Sequence, residues 1–223
     1  MQIIDGMVEA GLSRSEAMGR FAVCTSKGVL GAADGKNGDP NHKRGLSDIQ
    51  EIWLQNGISD GESLAGTIRK FKPNILLGLS TVAGIFDEEV VRAMASVNSR
   101  PIIMPMSNPT SKSECSPEQA YKWTDGRAVV ATGSPFAAVN FNGKTFIPSQ
   151  CNNMYIFPGI GLAASVSGVT TITNKMLYDA AQVSDITPST PSTNTPTSST
   201  HPNTHTPPTH PLTHSPTYLS THP

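Results

Sequence analysis

Asparagine side chains give this sequence its most usable polar chemistry. The amide of Asn108, in Ser107-Asn108-Pro109-Thr110, can donate to a carboxylate and accept from a hydroxyl or carboxamide. Asn152 and Asn153 repeat that capability after Cys151. Asn-Pro and Asn-Asn pairs also build turns, so residue type alone leaves turn and ligand both open. In Thr25-Ser26-Lys27, the last two residues supply a hydroxyl and a cation, with a solvated lysine as the competing reading. Pro158-Gly159-Ile160-Gly161 is a weak phosphate-loop signal, because a lone G-x-G is common and no strand directly precedes it. Its glycines are read as close backbone packing. Cys151 adjoins Asn152, yet no neighbour marks it as a low-pKa nucleophile.

The elements that must position these groups alternate between helix and strand. Helical patterns cover residues 3–10, 47–53, 61–71, 87–97, 160–166 and 174–183. The fourth of these is rich in early acids. Ser116-Pro117-Glu118-Gln119 has the spacing of a capping box with proline at the first helical position. Short apolar runs at 21–24, 75–78, 101–105 and 128–132 read as strands, and 31–45 reads as a loop. Strands without polar alternation, separated by helices, indicate a parallel sheet covered on both faces. Ligands of such sheets sit beyond the carboxyl ends of the strands. The segments found there are Thr25 to Gly28, Leu79 to Thr81, Met106 to Thr110, and Gly133 to Phe136.

Composition narrows the partners. The chain has 223 residues and a formal charge of -1, with no Lys/Arg block, which argues against nucleic acid. It has no apolar run long enough for a membrane span, and its start lacks the pattern of a signal peptide. Three cysteines with no C-x-x-C fit reduced thiols in a cytoplasmic or organellar protein. After about Ser184 the composition breaks. Half of the 18 prolines and five of the 6 histidines lie in this Thr/Pro/Ser/His-rich tail. It has too few apolar residues to offset its ordering entropy, so it is expected to be disordered. Its histidines are irregularly spaced, which allows only loose metal binding.

Four blocks then carry a family signal: KPNILLGLSTVAGIF, RPIIMPMSNPTSKSEC, GRAVVATGSPF and PSQCNNMYIFPGIGLA. In order and spacing they resemble the carboxyl-terminal part of the NAD(P)-binding domain of malic enzymes. The resemblance implies oxidative decarboxylation of malate to pyruvate, with NADP or NAD as hydride acceptor and Mg or Mn assisting. It implies that Asn108 contacts substrate and nicotinamide, that Ser107 beside it binds the cofactor, and that Asn152 and Asn153 hold the malate carboxylate. Thr25 stands where the family commonly has Asp for the adenosine ribose. Ser26 and Lys27 there suit a 2′-phosphate, which favours NADP, and His42, Lys43 and Arg44 could add charge nearby.

The expected fold is therefore α/β, a partial Rossmann-like doubly wound parallel sheet. Residues 1–183 are expected to form the binding domain, truncated at its amino terminus, and 184–223 the disordered tail. By the resemblance, the first strand, the dinucleotide loop, the catalytic tyrosine and lysine and the acidic metal ligands all lie upstream. No catalytic residue and no metal ligand is thus assigned in this chain. The family is typically homo-oligomeric. Without a central first strand, buried strand edges would keep unpaired N–H and C=O groups, each costing ~1–3 kcal/mol. The isolated chain is accordingly expected to be marginally stable and inactive. The alternative reading is a non-catalytic nucleotide-binding remnant or a gene-model fragment.

Overall fold

The computed structural model describes residues 2–33 and 47–185. The tail beyond residue 185 and the His42-Lys43-Arg44 cluster lie outside the described residues. The chain divides into two compact units, one running to Tyr155 and the other starting at Ile156.

The first unit opens with helices α1 (Gln2–Glu9) and α2 (Arg14–Met18). Ser13 caps α2: its hydroxyl accepts from the Glu16 amide while Glu16 accepts from the Ser13 amide at 2.9 Å. The expected strand at 21–24 is not a member of a parallel sheet. Only β1 (Cys24–Thr25) is extended, and it pairs antiparallel with β2 (Gly28–Val29) around Ser26 and Lys27. The physical reason is the glycine at 28, whose φ of +99° lets the chain turn back at once. β3 (Gly31–Ala33) lies where a loop was expected, and pairs in parallel with β4 (Gln55–Ser59). Helix α3 (Asp48–Glu51) connects towards β4.

Helix α4 (Leu64–Phe71) starts at the Ser63 cap and stops at Lys72, which takes a left-handed conformation before Pro73. A four-stranded parallel sheet follows, built from β5 (Ile75–Gly78), β6 (Ile102–Pro105), β7 (Val129–Thr132) and β10 (Ser149–Gln150). Its spatial order is β10-β7-β6-β5, so β5 stands at an edge. Helices α5 (Glu88–Val97) and α6 (Pro117–Trp123) are the connections between β5, β6 and β7. This is the alternating α/β architecture with a parallel sheet that the strand pattern indicated.

The capping box read from sequence at Ser116 is present, and Asp87 adds a cap that the early acids of its helix had not singled out. Asp87 accepts from the Val90 amide at 2.9 Å at the start of α5. Ser116 and Gln119 exchange both capping-box bonds at α6. The core gathers Leu76, Ile103 and Val130 from the sheet with Ile68, Val90, Val91, Met94, Ala120 and Tyr121 from the helices. Each fully buried aliphatic side chain contributes about 1.5–3 kcal/mol. A hairpin, β8 (Val139–Phe141) and β9 (Lys144–Phe146), folds over Asn142 and Gly143, both at positive φ. It stacks Phe146 on Tyr121 with ring centroids 4.5 Å apart.

The amino ends of the sheet are tied separately. The Asn74 amide donates to Asn98 Oδ1 at 3.0 Å, and Asn98 Nδ2 donates to the carbonyls of Pro73 and Met94. The Arg127 guanidinium donates to the carbonyls of Ala95, Asn98 and Ser99 at 3.1–3.2 Å. One cation thereby satisfies carbonyls that α5 leaves unpaired at its end.

The second unit holds α7 (Phe157–Ser167), ended by Gly168 in the left-handed region, and α8 (Asn174–Asp185). Gly159 and Gly161 lie inside α7, and a Cβ built at either meets nothing within 4 Å. Close packing on these glycines, expected from sequence, is not made by the other described residues of this unit.

Candidate functional site

Three serines occupy equivalent places, each two residues past the end of its strand: Ser80 after β5, Ser107 after β6 and Ser134 after β7. This follows from the parallel register, which sets β5, β6 and β7 side by side with carboxyl ends together. The polar loops therefore converge on one end of the sheet, as the strand pattern required.

Asn108 is exposed beside this row. Its Oδ1 accepts a short hydrogen bond from Ser134 Oγ. Its Nδ2 makes no hydrogen bond within the described residues, which leaves two outward donors. The peptide between Asn108 and Pro109 is cis. Ser134 is nearly buried, and its carbonyl accepts from Thr132 Oγ1 at 2.8 Å. Asn152, following β10, donates from Nδ2 to the Gly133 carbonyl at 3.0 Å. Its Oδ1 accepts from the Met154 amide at 3.1 Å, so Asn152 also makes the turn that its residue type allows. One Nδ2 proton and one lone pair of Oδ1 remain for a ligand. Asn108 and Asn152 are therefore joined through adjacent residues, Ser134 and Gly133.

Gly133 makes that junction possible. A Cβ there would sit 2.1 Å from the Met106 carbonyl oxygen, an overlap between two backbones that no rotamer relieves. The segment before Asn108 and the segment before Ser134 can touch only because position 133 has no side chain.

Ser107 plays an internal part. It is buried, its amide and hydroxyl both donate to the Glu114 carboxylate, and its hydroxyl accepts from the Thr81 amide at 2.9 Å. Asn153 starts a single 3-10 turn, Asn153–Tyr155. Thr25, Ser26 and Lys27 belong to the β1–β2 hairpin rather than to the Asn108–Asn152 chain of bonds. Thr25 Oγ1 donates to the Gly28 carbonyl at 3.3 Å and accepts from the Lys27 amide at 3.2 Å, while the side chains of Ser26 and Lys27 are exposed. Ser134 and Glu114 were not singled out from sequence. For Ser134 the G-S-P-F string at a strand end was the available signal. For Glu114 there was none.

Burial pushes the Cys151 thiol up, and burial with the adjoining Glu114 charge pushes Cys115 up to about 12. Neither is poised as a thiolate. Among the described residues no group of three His, Cys, Asp or Glu is placed to hold a metal ion. The most enclosed carboxylate, Glu114, has its oxygens occupied by donors from Ser80 and Ser107. Likewise, no helix among the described residues is long and apolar enough to cross a membrane.

A parallel sheet with its polar loops gathered at the carboxyl ends defines an open α/β class of protein whose ligands sit at that end. The comparisons make the family specific. The model for the malic enzyme NAD-binding domain matches residues 1–205, and the chain belongs to that family. It is 42% identical over 174 residues to an NADP-dependent malic enzyme of Dictyostelium discoideum, covering 78% of this chain and 31% of that one. It is 42% identical over 180 residues to an NAD-dependent malic enzyme of Acinetobacter baylyi, covering 79% and 31%. With an NADP-dependent malic enzyme of Vitis vinifera it shares 49% over 142 residues, covering 64% and 24%. The chain thus spans under a third of the length of these relatives.

Proposed function

We propose that this chain supplies the malate-carboxylate and nicotinamide-facing corner of a malic enzyme, which oxidises malate to pyruvate and carbon dioxide. The observation that carries this reading is the bonded path from Asn108 through Ser134 and Gly133 to Asn152 at the carboxyl ends of β6, β7 and β10. Asn108 directs two N–H donors outward, and Asn152 keeps one in reserve. Such donors suit carboxylate oxygens, and the Ser134 bond fixes which end of the Asn108 amide faces out. When bound, NADP or NAD would accept the hydride from the malate carbon that bears the hydroxyl. What these residues do is bind and orient. The described residues do not fit the family's metal.

Within this reading NADP is favoured over NAD. Ser26 and Lys27, exposed on the hairpin turn, offer a hydroxyl and a cation where a 2′-phosphate would otherwise meet an acid. Relatives named for each cofactor match this chain, so the preference rests on these two residues.

Proton–nitrogen NMR spectra of the labelled chain, titrated with malate and then with NADP or NAD, test the proposal. The Asn108 and Asn152 side-chain amide pairs should move saturably with malate, and Asn108→Ala should abolish the response. Lys27→Ala should weaken NADP about 5-fold, equivalent to about 1 kcal/mol, and leave NAD unchanged. Spectra that stay fixed up to millimolar malate would overturn the reading.

A further inference from the structure

The Glu114 side chain is fully buried, yet it takes no part in the chemistry assigned above. Its Oε1 accepts from the Ser80 amide at 3.0 Å, from Ser80 Oγ at 3.1 Å and from Ser107 Oγ. Its Oε2 accepts from the Ser107 amide at 3.3 Å. Its backbone carbonyl accepts from the Phe86 amide at 3.0 Å, and the Ser113 carbonyl accepts from the Gly84 amide at 3.2 Å. Gly78 lies against it so closely that a Cβ there would come 2.5 Å from the carboxyl carbon. A buried charge persists only when donors replace its water, and here two strand-end loops supply them.

We infer that Glu114 is the positioning residue of the substrate corner: one buried carboxylate clamps the loops that follow β5 and β6 and so fixes Asn108. The inference rests on the proposed function for what Asn108 binds, but not for the clamp itself. The geometry is specific. Ser80 and Ser107 sit at matched positions two residues past the ends of neighbouring parallel strands, and a two-oxygen acceptor between them fixes both. The Ser107 hydroxyl then relays the constraint by accepting from Thr81, whose φ of +57° needs holding. Asn108 is the next residue after Ser107, so its backbone origin is set from one side by Glu114. From the other side, Ser134 sets its amide. Orienting a binding amide from both sides is how precise placement is kept on a loop.

Glu114→Gln keeps the shape but turns one acceptor into a donor facing donors. Hydrogen exchange and NMR of the full chain test the consequence. The amides of Ser80, Thr81 and Ser107 should exchange at least 10-fold faster, whereas those of Ile102 and Val129, at the far end of the strands, should barely change. Below the melting transition the Asn108 amide pair should also leave its wild-type position, and malate should bind about 10-fold more weakly. Should Glu114→Gln fail to fold, Ser107→Ala removes one donor while keeping the acid, and should accelerate the Thr81 amide alone. A lowered melting temperature with the Asn108 pair and loop amides unchanged would reduce Glu114 to bulk stabilisation and overturn the inference. If wild type shows no malate response, the proposed function fails, while exchange and the Asn108 pair still decide the clamp.

Discussion

Ser134 holds Asn108 by its carbonyl end, so removing one hydroxyl should tell how far orientation matters. Ser134→Ala lets the Asn108 amide rotate freely, and malate binding is expected to weaken about 3- to 10-fold, a loss of about 1 kcal/mol. Calorimetry on the variant reads this directly. A second residue-scale outcome concerns Cys115. The folded thiol keeps its proton up to about 12, against an ordinary value of 9.0. A group whose folded value is raised stabilises the fold fully below the unfolded value and loses that contribution as pH climbs. Stability should therefore decline between pH 9 and 12, by at most about 4 kcal/mol from this thiol. Melts across that range should fall, and Cys115→Ala should flatten the fall. A maleimide should label exposed Cys24 well before Cys115 or Cys151. At this scale the sequence made Asn108 and Asn152 visible, because amides in recognisable strings follow strand ends. Glu114 stayed hidden because its partners, Ser80 and Ser107, become its neighbours only when β5 and β6 pair.

Elements set where those residues stand. Ile103 lies fully buried at the middle of β6, between β5 and β7, and Ile103→Ala should cost about 2–5 kcal/mol, readable by urea denaturation. Gly133→Ala should instead separate the ends of β6 and β7. Its expected signature is loss of the Asn108–Asn152 coupling in malate binding, out of proportion to stability. The strands with continuous apolar runs, β5 to β7, could be read directly, and so could the capping box at Ser116. β4 was missed because Gln55-Asn56-Gly57-Ile58-Ser59 offers one buried apolar residue and no alternation. The β8–β9 hairpin is legible in the sequence, since Asn142-Gly143 between apolar residues is a strong short-range hairpin signal. The apolar run at 21–24 misled because apolar content does not say whether a segment becomes a strand or finds a parallel neighbour.

On the scale of the molecule, β5 is paired on one side only among the described residues. Ile75 and the nearby Leu79, Val82 and Ile85 are exposed there. An uncovered parallel edge with apolar neighbours favours association, so the chain should self-associate at high concentration. Ile75→Lys should suppress this in light scattering without lowering the melting temperature. A strictly monomeric wild type at high concentration would contradict the expectation. The sheet's amino ends carry a different set of ties: Asn74 to Asn98, and Arg127 to the end of α5. These ties share no residue with the row of Ser80, Ser107 and Ser134. The two ends thus hold separate sets of hydrogen bonds, and a substitution in one set removes no bond of the other. Side chains at the loop end can therefore be exchanged without breaking the ties at the other rim, a freedom to vary at one face that an undivided network of bonds would not give.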